Sequence, residues 1–400
     1  MDLYNAFALL LVAAAAFAYL NQRFLRMPQA IGLMMLGLVA SLGLLGLARF
    51  GVKAVVDLAV LVNKLDFSTF VIQIILGFLL FAGALHVDTR RLGRLRWPVG
   101  VLALVGAPLS TALVGGAMYG LLPLFGLPTP LIYCLVFGAL ISPTDPVAVL
   151  SILTKANVSK DLETKIVGES LFNDGVGVVL FVVTLEVALL GSQQVTLTHA
   201  LGVFARETLG GLALGTGLGL GAAWLLRTID NYQVEVLITL AVVAGGTALA
   251  SRLHTSGLLA MVMAGLLVGH FSRSRGVMAE VSQDYVDKFW ELVDEVLNAL
   301  LFVLMGLEVL VLNIPGRTVL AGLAAILVVL VARAVSVAVP LGLLRVRRTF
   351  QPSEHSLTIL TWGGLRGGIS VALALSLPAE LPRELLVGIT YVVVVFSIIG

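Results

Sequence analysis

Two short stretches of an otherwise apolar chain carry side chains that could do ion chemistry. Ser142-Pro143-Thr144-Asp145-Pro146 interrupts the apolar run 130–153, and Glu169-Ser170-Leu171-Phe172-Asn173-Asp174-Gly175 lies within the run 164–190. The two prolines of the first stretch cannot sit inside a helix. Each lacks an amide hydrogen and clashes with the carbonyl four residues back, which frees the carbonyls of Ala139 and Ser142. Unpaired backbone at membrane depth is tolerated only where it is buried in protein or lines a watery cavity, and an ionisable residue there is functional by default. In the second stretch Glu169 and Asn173 share one helical stripe, and Ser170 and Asp174 share the adjacent one. Asp174 falls about ten residues into its run, or about 15 Å at the helical rise, near the centre of a bilayer. A carboxylate facing a cavity there can hold either a proton or a small cation. Hard cations prefer oxygen ligands; Asp174, the hydroxyls of Ser170 and Thr144, and the freed carbonyls are the candidates.

Such polar groups need partners from other helices. Arg333, in the run 318–344, and Arg366, in the run 356–378, are the mid-span cations on the expected core helices. Arg366 sits in Trp362-Gly363-Gly364-Leu365-Arg366-Gly367-Gly368, where four glycines break a second segment. A broken helix presents a positive N-terminal half-end and a negative C-terminal one. Where two broken helices cross, an aspartate can offset the positive ends and an arginine the negative ones. Asp145 therefore has two readings, dipole compensation and direct ion binding.

The elements that hold these groups follow from composition. Hydrophobic residues make up 59% of the 400-residue chain, charged residues 12%, and the mean hydropathy is +1.06. A soluble domain carries about a quarter charged residues, so this is a polytopic membrane protein. The net charge of +2 does not suggest nucleic-acid binding, and no phosphate loop points to a built-in ATPase. No cleavable signal peptide is evident, and the first run reads as a spanning helix. The single cysteine, Cys134, excludes an internal disulfide and reads as a small buried hydrophobe.

Apolar runs near 4–21, 30–48, 67–86, 97–122, 130–153, 164–190, 199–226, 233–251, 256–271, 292–312, 318–344, 356–378 and 385–400 predict about thirteen transmembrane helices. Mixed-charge clusters at 50–66 and 279–291 read as interfacial helices. Loops after odd-numbered runs carry 16 Lys and Arg, those after even-numbered runs 6. The positive-inside rule puts the first set in the cytoplasm, the N-terminus outside and the C-terminus inside. Arg90, Arg91, Arg94 and Arg96 then read as a topology anchor. The fourth to sixth runs recur after about 220 residues as the eleventh to thirteenth. An offset of seven helices inverts each counterpart, the mark of a secondary transporter with its site at the midplane. The last run stops at Gly400 without a polar flank, so the chain reads as cut near the end of its final helix.

Other polar residues carry plainer readings. Glu186 is a solvated end residue, and Arg206 and Glu207 snorkel near a helix start. His86, His254 and His270 lie at helix ends or in a loop as interfacial histidines. Gly211, Gly215, Gly217, Gly219 and Gly221 permit close helix packing.

Thr144-Asp145-Pro146, the Glu169–Gly175 stretch and Gly363-Gly364-Leu365-Arg366-Gly367 resemble the monovalent cation:proton antiporter-1 family, which includes the NhaP-type antiporters and the animal Na+/H+ exchangers. Phe289-Trp290-Glu291 leading to Asn298, Phe302 and Gly306 resembles its tenth helix. The resemblance covers the chain from about residue 67 onward. It implies that Asp174 binds the cation and the proton, assisted by Ser170, the Thr144 backbone and Asp145. It implies that Asn173 braces the crossing, and that Glu169 and Arg333 form a buried structural pair. It also implies a homodimer, and Asn173 before the aspartate implies electroneutral exchange. One departure is Ala82, where many relatives carry an acidic residue that could add an oxygen ligand.

The expected fold is an all-α polytopic membrane protein with two inverted six-helix repeats, its broken fifth and twelfth helices crossing at the midplane. Core helices span about 97–190 and 318–400, and scaffold and dimerisation helices about 1–96 and 199–312. The expected function is exchange of Na+ (also Li+) for H+ by alternating access in the plasma or inner membrane. Na+ would sit at Asp174, Ser170, Thr144 and Asp145, with Asn173, Glu169, Arg333 and Arg366 in support. No cofactor is expected beyond the transported ions; the partners are the lipid bilayer and a second copy of the chain. The alternatives are a K+/H+ antiporter on the same scaffold and an intramembrane aspartyl protease. The protease needs a carboxylate pair sharing a proton, and the sequence pairs acid with base. A passive channel would need a ring of pore-lining residues, which one chain does not display.

Overall fold

The computed structural model describes residues 3–49, 71–146, 160–191, 196–275, 278–309, 314–346, 356–364 and 366–399. Among the described residues all regular structure is helical, and every apolar run read from the sequence is occupied by a helix. In chain order these are α1 (Leu3–Leu20), α2 (Gln29–Arg49), α3 (Leu76–His86), the short α4 (Thr89–Arg94) and α5 (Arg96–Val101), and α6 (Ala107–Leu121). Then come α7 (Leu131–Leu140), α8 (Lys160–Leu190), α9 (Leu197–Leu226), α10 (Tyr232–Leu253), α11 (Gly257–Arg275) and α12 (Glu280–Glu308). The chain continues through α13 (Gly316–Val346), α14 (Ser356–Trp362), α15 (Gly368–Leu375) and α16 (Arg383–Ile399). Among the described residues, 7 helical stretches are long and apolar enough to cross a membrane alone, among them Lys160–Leu190 and Gly316–Leu344.

Two expectations need correction, and others fall outside the described residues. The 279–291 cluster is not a separate interfacial helix. It forms the first half of α12, because nothing from Glu280 to Met305 is proline or glycine and the helix has no cause to stop. The glycines of α9 divide. Side chains at Gly211, Gly215 and Gly219 would strike Ser256, just before α11, and Ala260 and Ala264 on α11, whereas Gly217 and Gly221 meet open space. The close approach thus uses the four-residue spacing alone. The 50–66 cluster and the second half of the run 130–153 lie outside the described residues.

The scaffold helices lock through small and aromatic residues. Gly306 of α12 meets Gly37 of α2, where an added Cβ would fall 2.8 Å from the Gly37 Cα. Ser41 Oγ donates to the Gly306 carbonyl at 2.8 Å. Trp290 is fully buried, and its Nε1 donates to Thr239 Oγ1 at 2.9 Å, tying α12 to α10. Phe302 and Cys134 are also buried, as expected of apolar core. Before α4, Asp88 accepts from the amides of Arg91 and Arg90, and these bonds hold its carboxyl below the usual carboxylate range.

The end-of-helix residues make local contacts. His86 bonds the carbonyls of Ala82 and Asp287, and His270 Nδ1 lies 2.8 Å from Thr89 Oγ1. His254 adopts a left-handed conformation (φ 51°) that ends α10. Glu186 bonds His199 at 3.1 Å. Arg206 and Glu207 approach to 4.0 Å.

Candidate ion-binding site

α7 ends where the sequence requires. Its last turn closes as Ile141 N–H bonds Phe137 O and Ser142 N–H bonds Ala139 O, after which Pro143 can donate nothing. The extended segment 142–146 that follows runs against α8. Pro143 itself lies against Gly177, where an added Cβ would come within 2.8 Å of its ring. A small residue at 177 is what lets the broken backbone approach α8 this closely.

The two stripes of α8 meet that backbone as the spacing predicts. Asp174 Oδ1 accepts the Thr144 N–H at 3.2 Å. One turn earlier, Ser170 Oγ donates to the Thr144 carbonyl and lies 3.2 Å from Thr144 Oγ1. Asn173 Nδ2 donates to the Ser142 carbonyl at 3.0 Å and to Thr144 Oγ1 at 3.1 Å. Asp174, Ser170, Asn173 and Thr144 are all at least 95% buried.

The freed carbonyls have other uses than the one expected of them. Ala139 O takes the amide and hydroxyl of Ser142, and Ser142 O takes Asn173 and Arg366. Protein donors thus occupy the oxygens that the prolines release, so these are not open to a cation in this conformation.

The broken segments are closed by arginines. Arg366 Nη1 donates to the carbonyls of Ser142 and Pro143, just past the C-terminal end of α7. Arg333 donates through Nε and Nη2 to the carbonyl of Leu360, in the last turn of α14, at 3.2 and 3.0 Å. Its Nη1 and Nη2 also form a two-point pair with Glu169 at 2.8 and 2.9 Å. Gly364 makes room for this guanidinium, since a Cβ there would overlap its Nε. Asp145 lies against Gly367, the residue that caps the N-terminus of α15. A negative carboxylate at a positive helix end, and guanidinium groups at negative ones, match the dipole reading for Asp145 and Arg366.

A cavity of about 180 Å³ opens beside these groups. On one side it is walled by Pro143, Thr144, Asp145, Ser170, Asp174 and Gly367. On the other lie Leu76, Leu79, Leu80 and Gly83 of the helix ending at His86, and Asp294, Asn298 and Leu301 of α12. Ala82 is fully buried and is not part of this wall. Glu169, Arg333, Arg366 and Asn173 stand behind the Thr144–Asp174 contact rather than on the wall. Asp294 escaped the sequence reading. Its signal was its position four residues before Asn298, on the same helical face.

Comparison with known proteins adds four findings. A family model described as sodium/hydrogen exchanger, transmembrane, matches residues 11–400. The chain is 47% identical to the Na+/H+ antiporter NhaP of Pseudomonas aeruginosa, covering 100% of this chain and 94% of that protein. It is 33% identical to the Na+/H+ antiporter NhaH of Halobacillus dabanensis, covering 98% and 93%. Its fold matches the solved structure of the sodium proton antiporter MjNhaP1 of Methanocaldococcus jannaschii with a TM-score of 0.74 at 19% identity, covering 100% and 95%.

Proposed function

The chain belongs to the sodium/hydrogen exchanger family, a multi-pass Na+/H+ antiporter rather than an enzyme, and on that footing we propose that exchange runs through Asp174, one cation for one proton. The observation that carries this is the Asp174 carboxylate, held by the Thr144 amide and facing a cavity it shares with Ser170 and Asp145. Na+ is bound there by Asp174, Ser170 Oγ, Thr144 and Asp145. A bare carboxylate carried through an apolar barrier is costly. A proton or a Na+ neutralises it, so the loaded and protonated forms cross and the empty charged form does not. That coupling is antiport.

Electroneutrality rests on Asn173. Its amide cannot titrate, and its donor group is already committed to Ser142 and Thr144. The site therefore has no second acid at this position to carry a second proton. Asn173, Arg366 and the Glu169–Arg333 pair hold the crossing of the broken segments.

Alternating access divides the chain into the core at about 97–190 and 318–400 and the scaffold at about 1–96 and 199–312, arranged as two inverted six-helix repeats within about thirteen spans. The cavity supports that division, because its walls come from both sets. The scaffold forms the homodimer. The protein sits in the plasma or inner membrane with its N-terminus outside and its C-terminus in the cytoplasm, as the loop charges favour. No resident cofactor takes part. The test is purified protein in proteoliposomes under a pH gradient, with Na+, Li+ and K+ added in turn. Dissipation by Na+ and Li+ is expected; dissipation by K+ alone would replace this reading with K+/H+ exchange.

A further inference from the structure

We propose that Asp294, on the scaffold wall of the cavity, draws the cation in from the cytoplasmic end and delivers it to Asp174. The inference rests on the function and orientation proposed above.

Asp294 lines the same cavity as Asp174 and Asp145, but from α12 rather than from the core. It is close enough to Asp145 and His86 for their charges to act on it, and it lies beside the Asn298 side chain. Asp287, Asp294, Asn298 and Leu301 fall seven, four and three residues apart and so form one stripe of α12. This stripe runs from the helix end where His86 bonds the Asp287 carbonyl to the cavity wall at Leu301. Asp287 precedes Asp294 by about 10 Å at the helical rise.

The carboxylates of this helix are not equivalent. Near its start, Asp284 is paired with Lys288 at 2.7 Å and Asp287 with Arg273 at 3.2 Å. Glu291 and Glu295 are exposed. Asp294 is half-buried, and among the described residues it forms no salt bridge. Asp284 and Asp287 are neutralised by the protein and Glu291 and Glu295 by solvent, while the one facing the cavity is left for a mobile cation. Asn298, one turn on, turns its side-chain amide to this carboxylate and holds it on the cavity wall.

The placement on the scaffold gives a directional consequence. Asp174 and Asp145 travel with the core, whereas Asp294 stays with α12. It can therefore act on a cation only while the core presents its site to that end. A low-dielectric cleft lined by one sign of charge raises cation encounter by about tenfold or more, and salt screens the effect.

The experiment uses membrane vesicles of both orientations from cells lacking other Na+/H+ exchange, with Na+-dependent proton movement read against Na+ concentration. Asp294→Asn is expected to raise the half-saturating Na+ about tenfold at the cytoplasmic face and to leave the external value within about twofold. Added choline chloride should narrow the gap between wild type and variant. Asp294→Glu, which keeps the charge, should stay near wild type at both faces. Equal changes at the two faces, or none at either, would overturn the proposal while wild-type exchange still stands. An inactive wild type would instead overturn the function it rests on. Should Asp294→Asn fail to reach the membrane, Asp294→Glu decides, since a tenfold rise there also overturns it.

Discussion

Arg366 Nη1 sits 2.6 Å from the carbonyl oxygen of Ser142, where α7 breaks off. One cation thereby closes the negative end of a half-helix that two prolines prevent from closing itself. The same nitrogen reaches the Pro143 carbonyl at 3.1 Å, while Nε and Nη2 have no hydrogen-bond partner among the described residues. Arg366→Ala should lower stability by about 3 kcal/mol, since the carbonyls lose a charged donor in a buried place. Arg366→Lys should recover part of that loss, because a single ammonium can replace one nitrogen but not the planar fork. Thermal unfolding in detergent reads both; a melting temperature for Arg366→Ala equal to wild type would remove the capping role.

The Glu169–Arg333 pair makes a separate prediction. Breaking a buried pair by removing one partner costs about 3–5 kcal/mol, because the other charge is left uncompensated. Glu169→Ala and Arg333→Ala should each melt much earlier than wild type. Surviving protein should keep its Na+ half-saturation within about twofold, since neither group lies on the cavity wall. A large change in cation affinity with unchanged melting would make the pair part of the site.

Gly367 is a point of close approach between the two broken segments. A Cβ at this position would overlap the Asp145 carboxylate. Gly367→Ala should push Asp145 from the end of α15 and cut exchange by about ten- to a hundredfold, the scale on which small misplacements act. Gly221→Ala, in open space on α9, is the control and should leave transport and melting unchanged. Normal transport by Gly367→Ala would show that Asp145 tolerates displacement.

The break at Pro143–Pro146, the stripes of α8 and the arginine at the second break were legible because each is local. Prolines fix where a helix ends, and the 3.6-residue repeat fixes which side chains share a face. What occupies the freed carbonyls was not legible. Asn173 and Arg366 reach Ser142 O from 31 and 224 residues away, a matter of tertiary packing. Asp294 was hidden for a similar reason. Its helix carries several acids, and only the packing against α3 and the core shows which one meets the cavity. The extent of α12 was misread because the mixed charges of 279–291 suggested an interface, whereas backbone continuity decides helix length.

One Na+ for one H+ moves no net charge. With Asn173 in place of a second acid, the rate of Na+-driven proton movement should be the same under diffusion potentials of either sign. Proteoliposomes clamped with K+ and valinomycin provide the measurement, and a rate that follows the potential would refute a 1:1 exchange.

The role of Asp174 is tested most directly by Asp174→Asn, which keeps the shape of the side chain and removes its charge. Proteoliposomes with the variant should show no Na+-dependent proton movement, while the protein elutes and melts as a folded species. Exchange at the wild-type rate by folded Asp174→Asn would contradict the assignment of the ion site to Asp174.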